Sequence, residues 1–168
     1  ESSGGLWRPT RHVAAKVGLP ALMARLGVEF IAFDDRPRDW VRVETGGDYL
    51  PEVVIPRSVY EADLLVSLPC LKTHNLARFS ASLKLGMGMI HPGQRRGMHA
   101  SHLEEKIAEI NLACQPDLII MDGRKSFVTG GPDKGQVVEP RVIMASGDMV
   151  AIDVEALKVL LSYKAHNK

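Results

Sequence analysis

Ala62–His102, ADLLVSLPCLKTHNLARFSASLKLGMGMIHPGQRRGMHASH, is the stretch from which the rest of the chain is read. It opens with Leu64–Leu68, an apolar run of strand character. Pro69 ends that run, because proline brings no N–H to a ladder. The remainder of the stretch is polar and punctuated by Gly86, Gly88, Gly93 and Gly97, and it holds His74, His91, His99 and His102 out of six histidines in all. A polar segment this long, with no apolar period of its own, is functional or disordered when it lies inside a compact domain. Residues 86–100 are glycine-rich enough to order only on binding.

Upstream, the pattern predicts a helix capped by Thr10 and stopped by Gly18, then a second over Pro20–Leu26 that ends at Gly27. Val28–Phe33 reads as a strand. Val41–Glu44 and Glu52–Ile55 read as two strands of a hairpin around Thr45-Gly46-Gly47-Asp48, and Ser58–Ala62 as a helical turn. Downstream, Ser101 and Glu104 form a capping box for a helix with Leu103, Ile107, Ile110 and Cys114 on one stripe, closed by Pro116. Further strands are expected at Leu118–Met121 and Val142–Ala145. Asp148 caps a last helix whose expected buried stripe is Val150, Val154, Leu157 and Leu161.

Strands alternating with a long crossover and helices predict a single α/β domain over residues 1–168, a three-layer sandwich with a mostly parallel sheet. Ligands in such folds lie beyond the carboxyl ends of strands. That rule would bring the Lys72–His74 region, Asp122 and Asp148 to one rim. The chain opens on Glu1 and ESSGG resembles the end of a βα turn, so a fragment lacking its first strand–helix unit is expected, with a processed N-terminus as the alternative.

Composition excludes several classes. The net charge of +1 argues against nucleic acid and membrane surfaces as partners. The local cluster of Lys84, Arg95 and Arg96 reads as a solvated loop. Two cysteines, Cys70 and Cys114, cannot make a disulfide framework or hold an iron–sulfur cluster that needs four. No run approaches the ~20 apolar residues of a membrane span and no leader is visible, so a cytoplasmic protein is expected.

His74, a few residues past a strand end, is suited to general acid–base work, or is an exposed loop histidine. Lys84 sits in SASLKLG, where Ser80, Ala81 and Ser82 let a ligand approach the backbone. It can clamp a phosphate or carboxylate, act as a nucleophile if desolvated, or be a surface lysine. Lys72 and Asp122 join it as ligand-binding candidates at strand ends. Gly130-Gly131 can form an amide nest for an anion or a plain turn. His99 and His102, three apart before a helix, can share a metal such as nickel or zinc, although helical geometry is not assured at His99. Cys70 reads as a buried small hydrophobe and Asp153 as solvated. The dinucleotide, P-loop and nucleophile-elbow patterns are absent.

The succession EADLLVSLPCLKTH, ASLKLGMGMIHPG, MHASH, DLIIMDG, GGPDKG and SGDMVAIDVEAL resembles domain-of-unknown-function family 362 (DUF 362). The resemblance implies an α/β protein without an agreed reaction, whose members often carry a ferredoxin-like iron–sulfur module; here that module would lie outside this chain. Leu85 stands where the family pattern usually has Asn. A more distant likeness is to the nickel-pincer lactate racemases. It implies that His74 matches their acid–base histidine, Lys84 the lysine that holds the pincer cofactor, and His99 or His102 the nickel-binding histidine. Ser80-Ala81-Ser82 replaces a glycine-richer loop, and ESSGG has no counterpart of the second catalytic histidine. Two functions are therefore expected. One is an enzyme domain that binds a small anionic ligand or cofactor through His74, Lys84 and the His99/His102 pair. The other is a non-catalytic scaffold or electron-transfer partner for an iron–sulfur module encoded elsewhere in the full-length protein.

Overall fold

The computed structural model describes residues 1–3 and 8–167, so the expected Gly4-Gly5 turn lies outside it. In chain order the elements are α1 (Thr10–Lys16), α2 (Leu19–Arg25), β1 (Trp40–Glu44), β2 (Glu52–Pro56), α3 (Arg57–Tyr60), β3 (Val66–Ser67), β4 (Lys72–His74), β5 (Arg78–Ser80) and α4 (Ser82–Leu85). They continue with α5 (Pro92–Met98), α6 (Leu103–Ala113), β6 (Leu118–Gly123), β7 (Ser126–Phe127), β8 (Val137–Val138), β9 (Val142–Ser146) and α7 (Met149–Ser162). The domain is mixed α/β, built on two cores.

The first core gathers Val53 and Ile55 of the β1–β2 hairpin with Ile90, Met98, Ile107, Ile110 and Cys114. The hairpin forms because Val41 and Val43 alternate with Arg42 and Glu44 on one strand, and Val53 and Ile55 share one face of the other. A glycine-containing turn joins them in the register Val41↔Ile55 and Val43↔Val53. The loop of the hairpin is tied to α6 by one side chain. The Glu109 carboxylate accepts from the N–H groups of Asp48 (3.0 Å), Tyr49 (3.0 Å) and Leu50 (2.6 Å). Gly47 makes room for it, since a Cβ there would lie 2.3 Å from the Glu109 Cδ. Glu109→Ala leaves three loop amides to partial solvation and should lower unfolding free energy by about 1–2 kcal/mol in a urea titration. An unchanged midpoint would mean that the loop holds itself.

The second core places Leu71, Ile119 and Met121 against Ile152, Ala156 and Leu160 of α7. Its sheet has the order β3-β6-β9. β3 runs parallel to β6 (Val66↔Leu118), while β9 runs antiparallel to it, from Ile119↔Ser146 to Gly123↔Val142. The sheet is mixed where the sequence pattern predicts a mostly parallel one. The link from β6 to β9 carries only the small β7–β8 hairpin and no crossover helix, so the chain returns antiparallel. Asp148 therefore sits at the opposite end of the sheet from Asp122, and its carboxylate caps α7 through the N–H groups of Val150 and Ala151.

The α7 stripe is also rotated from expectation. Val150, Val154 and Leu161 are exposed, and Ile152, Asp153, Ala156 and Leu160 face inward. α7 is apolar around most of its circumference, so period alone could not choose the face. The sheet shows the same one-sidedness. Ile119 and Met121 are fully buried, whereas Val66, Leu118, Ile120 and Ile143 on the other face are exposed. No helical layer covers that face among the described residues.

Other local expectations change. Residues 28–32 join no ladder; the backbone of Glu1 bonds to Ile31 and Phe33 instead. Thr10 begins α1 rather than capping it: its N–H donates to Asp34 and its hydroxyl accepts from Ser3. α6 starts after His102, in a left-handed conformation (φ 51°), with no side-chain cap from Ser101. Cys70 is exposed, because Leu71 takes the inward position at that strand end. The segment after Pro69 is well structured, with a hairpin, α4, a 3-10 turn over 86–88 and α5. Arg95 anchors it. Far from a solvated loop residue, Arg95 is buried and donates to the carbonyls of Ile90, Ser3 and Gly88 and to the Ser2 hydroxyl.

Candidate functional site

α4 lies at the seam of the two cores and is held from both sides. From α7, the Asp153 carboxylate accepts from the N–H groups of Ser82 (2.7 Å) and Leu83 (3.1 Å). From α6, the Asn111 amide donates to the carbonyl of Leu83 (2.8 Å). Asp153 is 4% exposed, and burial raises its carboxyl above the ordinary range, against the pull of the two amides. The expectation of a solvated Asp153 is thus reversed. The available signal was an acid between Ile152 and Val154 in MVAIDVEALKVLLS, since a buried acid needs donors close by.

Lys84 projects from this short helix. It is half-buried and lines a cavity of about 220 Å³ with Phe79, Leu83, Ile107, Glu104 and Asp153. Its ammonium makes no hydrogen bond or ion pair among the described residues. Burial lowers its pKa, and the neighbouring Lys72 lowers it further. The two acids at the cavity are engaged elsewhere: Asp153 with the α4 amides, and Glu104 with Arg78 at 3.0 Å. The hydroxyl of Ser82, 2% exposed, has no hydrogen-bond partner.

Strand alternation puts Lys72 and His74 on one face of the β4–β5 hairpin, with Ser80 directly across from Lys72 and Arg78 across from His74. Thr73 takes the opposite face. Gly131 packs on this hairpin so closely that a Cβ would lie 2.0 Å from the Thr73 carbonyl oxygen. The amides of Gly130 and Gly131 donate to the Asn167 side chain and the Lys134 carbonyl. Gly131 thus closes the loop, and Gly130 ties it to the C-terminal tail.

His74 is buried, and its Nδ1 accepts from the N–H groups of Leu76 and Ala77, each at 3.2 Å. An accepting Nδ1 in a neutral ring leaves the proton on Nε2. Burial, then the charges of Lys84, His99 and Lys72, hold the imidazole down at about 4. The ring is therefore a neutral N–H donor at pH 7 rather than a poised base. It is not among the residues lining the Lys84 cavity. Lys84, His99 and Lys72 all act on His74, and Lys72 acts on Lys84.

The remaining candidates stand apart. The Asp122 carboxylate is held at about 2 by hydrogen bonds from the Arg124 side chain and backbone. His99 donates from Nδ1 to the Arg95 carbonyl (3.0 Å). His102 stacks on Tyr49 at 4.4 Å and has Glu105 3.8 Å away. The two histidines thus answer to different neighbours. With the His74 Nε2 carrying its proton, no set of three His, Cys, Asp or Glu side chains gathers as a metal centre among the described residues. Burial pushes the Cys114 thiol up to about 11, and Cys70 lies apart on the surface.

The family model described as "Domain of unknown function (DUF362)" matches residues 1–158. The chain belongs to DUF362. A curated relative of this DUF362 domain is "Thylakoid-associated protein sll1697" of Synechocystis sp. (strain ATCC 27184 / PCC 6803 / Kazusa), 27% identical over 157 residues. That alignment takes in 89% of this chain and 47% of the relative, so the chain spans about half the length of the relative it matches. No solved structure matches the domain. No helix among its described residues is long and apolar enough to cross a membrane.

Proposed function

We propose that this DUF362 domain binds a small anionic ligand or cofactor at the hollow beside α4. The observation that carries the reading is the Lys84 ammonium, half-buried on a cavity and without a hydrogen bond or ion pair among the described residues, while the two acids of that cavity are engaged elsewhere. A half-buried, unpaired ammonium on which a second lysine acts is unfavourable until an anion joins it. The unpartnered hydroxyl of Ser82 adds a donor on the same helix. In this reading Lys84 anchors the ligand, and Lys72, outside the cavity lining, adds a second positive charge at longer range. His74, neutral at pH 7 and outside that lining, is not the proton-transfer base its position suggests.

The test is calorimetric titration of oxalate and of inorganic phosphate. Lys84→Ala should weaken binding roughly ten- to a hundredfold, the worth of one charge-assisted contact of about 1.5–3 kcal/mol, while the exposed control Lys125→Ala should not. Equal affinities in all three proteins would remove Lys84 from the site. The nickel-pincer likeness would rest on His74 and Lys84, since no three His, Cys, Asp or Glu side chains gather to hold a metal among the described residues.

A second reading is favoured by the bare apolar face of the β3-β6-β9 sheet. The domain would be a scaffold or electron-transfer partner for an iron–sulfur module encoded elsewhere in the full-length protein, in a cytoplasmic setting. The full domain would then complete the three-layer, mostly parallel sandwich over Val66, Leu118, Ile120 and Ile143. Replacing Ile120 and Ile143 with Ser should abolish association with that module and leave oxalate binding intact. Retained association would speak against this face as the contact.

A further inference from the structure

We propose that Lys84 is an amine nucleophile that forms an imine with a small 2-oxo carboxylate. This rests on the anion-binding reading and adds covalent chemistry to it. Three observations point the same way. The side chain lines a cavity of about 220 Å³, below the ~300–1,000 Å³ usual for drug-sized ligands, which suits a molecule of few heavy atoms. The ammonium has no ion pair or hydrogen bond among the described residues to hold it protonated. The charge acting on it is a second lysine, Lys72, on the β4–β5 hairpin outside the cavity.

Burial and Lys72 both lower the Lys84 pKa, the standard way of freeing a lysine lone pair. Phe79, Leu83 and Ile107 give the cavity apolar walls beside the amine, and its two acids, Glu104 and Asp153, are engaged with Arg78 and the α4 amides. In the step, the lone pair of the neutral Lys84 Nζ adds to the carbonyl carbon. A C–N bond forms, and one amine proton passes to the former carbonyl oxygen, giving a carbinolamine. Loss of that hydroxyl as water, with the second amine proton, leaves the imine. No oxidant or reductant is consumed.

The experiment incubates the protein with glyoxylate and cyanoborohydride, which reduces any imine to a stable secondary amine, and locates the adduct by peptide mass spectrometry. Lys84 should be labelled faster than every other lysine, because its lowered pKa leaves more of it as the free amine. Lys72→Ala should slow the labelling. Lys84→Arg, which keeps charge and bulk, should abolish the selective adduct with an unchanged far-ultraviolet circular dichroism spectrum. Equal labelling across the lysines overturns the inference. Oxalate, which has no electrophilic carbonyl, then separates the two levels: Lys84-dependent oxalate binding without selective labelling leaves the anion site standing, and loss of both removes the anion reading as well.

Discussion

Asp153→Ala lowers the free energy of unfolding by about 3 kcal/mol and the melting temperature by roughly 6–12 °C, for a domain of this size. The carboxylate is the acceptor for two buried N–H groups at the start of α4, and alanine offers neither of them a substitute. Each orphaned amide costs about 1–3 kcal/mol, offset in part because a buried carboxylate no longer has to be desolvated. Asp153→Asn keeps the volume and one acceptor oxygen, so it should lose about half as much. The two variants also differ in pH response. Burial raises the Asp153 carboxyl, so just above the unfolded value the folded state holds the proton more tightly than the unfolded chain. Stability from this group therefore falls as pH rises through the folded value, and the asparagine variant lacks that dependence. Urea titrations at several pH values check both statements. A wild-type midpoint in the alanine variant would mean that α4 does not depend on α7.

Acidification destabilises the domain through His74 by about 3 kcal/mol. The ring titrates at about 4 when folded, against 6.5 for the ordinary side chain. Between those values the unfolded chain binds a proton that the native state refuses, so stability rises with pH across the window. The contribution is complete above about pH 6.5, declines as pH falls toward 4, and levels off below it. At 1.36 kcal/mol for each unit, the gap amounts to about 3 kcal/mol. His74→Asn places an amide oxygen near the Nδ1 position, where it can accept from Leu76 and Ala77, and carries no titrating group. The difference between wild-type and variant stability curves isolates the histidine from the carboxylates that titrate nearby. Parallel curves from pH 7 to pH 4 would show that the ring is solvated.

The hairpin, α6 and the cap of α7 were legible from residues 40–56, 103–114 and 148 because each rests on a local pattern. Alternation across a glycine turn, a four-residue apolar period and an Asp ahead of an apolar run require no knowledge of the partner. The direction of β9, the buried face of α7 and the role of Asp153 were not legible, because each is settled by what packs against it. Val150, Ile152, Val154 and Leu160 satisfy a helical period on either face. Only the demand of the Ser82 and Leu83 amides for an acceptor accounts for Asp153 turning inward. At the site, Lys84 lines a cavity that neither Lys72 nor His74 lines. Gly131 closes its loop on Lys134 and Gly130 ties it to Asn167, a long-range partner that a local pattern does not show. Asp122 was placed by chain order, yet its carboxylate is taken up by Arg124, two residues away.

The central claim is that His74 and Lys84 share one electrostatic site, and the most direct measurement is the nuclear magnetic resonance titration of the His74 ring in wild type and in Lys84→Ala. The expected result is a ring protonated on Nε2 with a midpoint at about 4 in the wild type, and a higher midpoint once the neighbouring ammonium is gone. A wild-type midpoint near that of a free histidine, unmoved by the substitution, would contradict it.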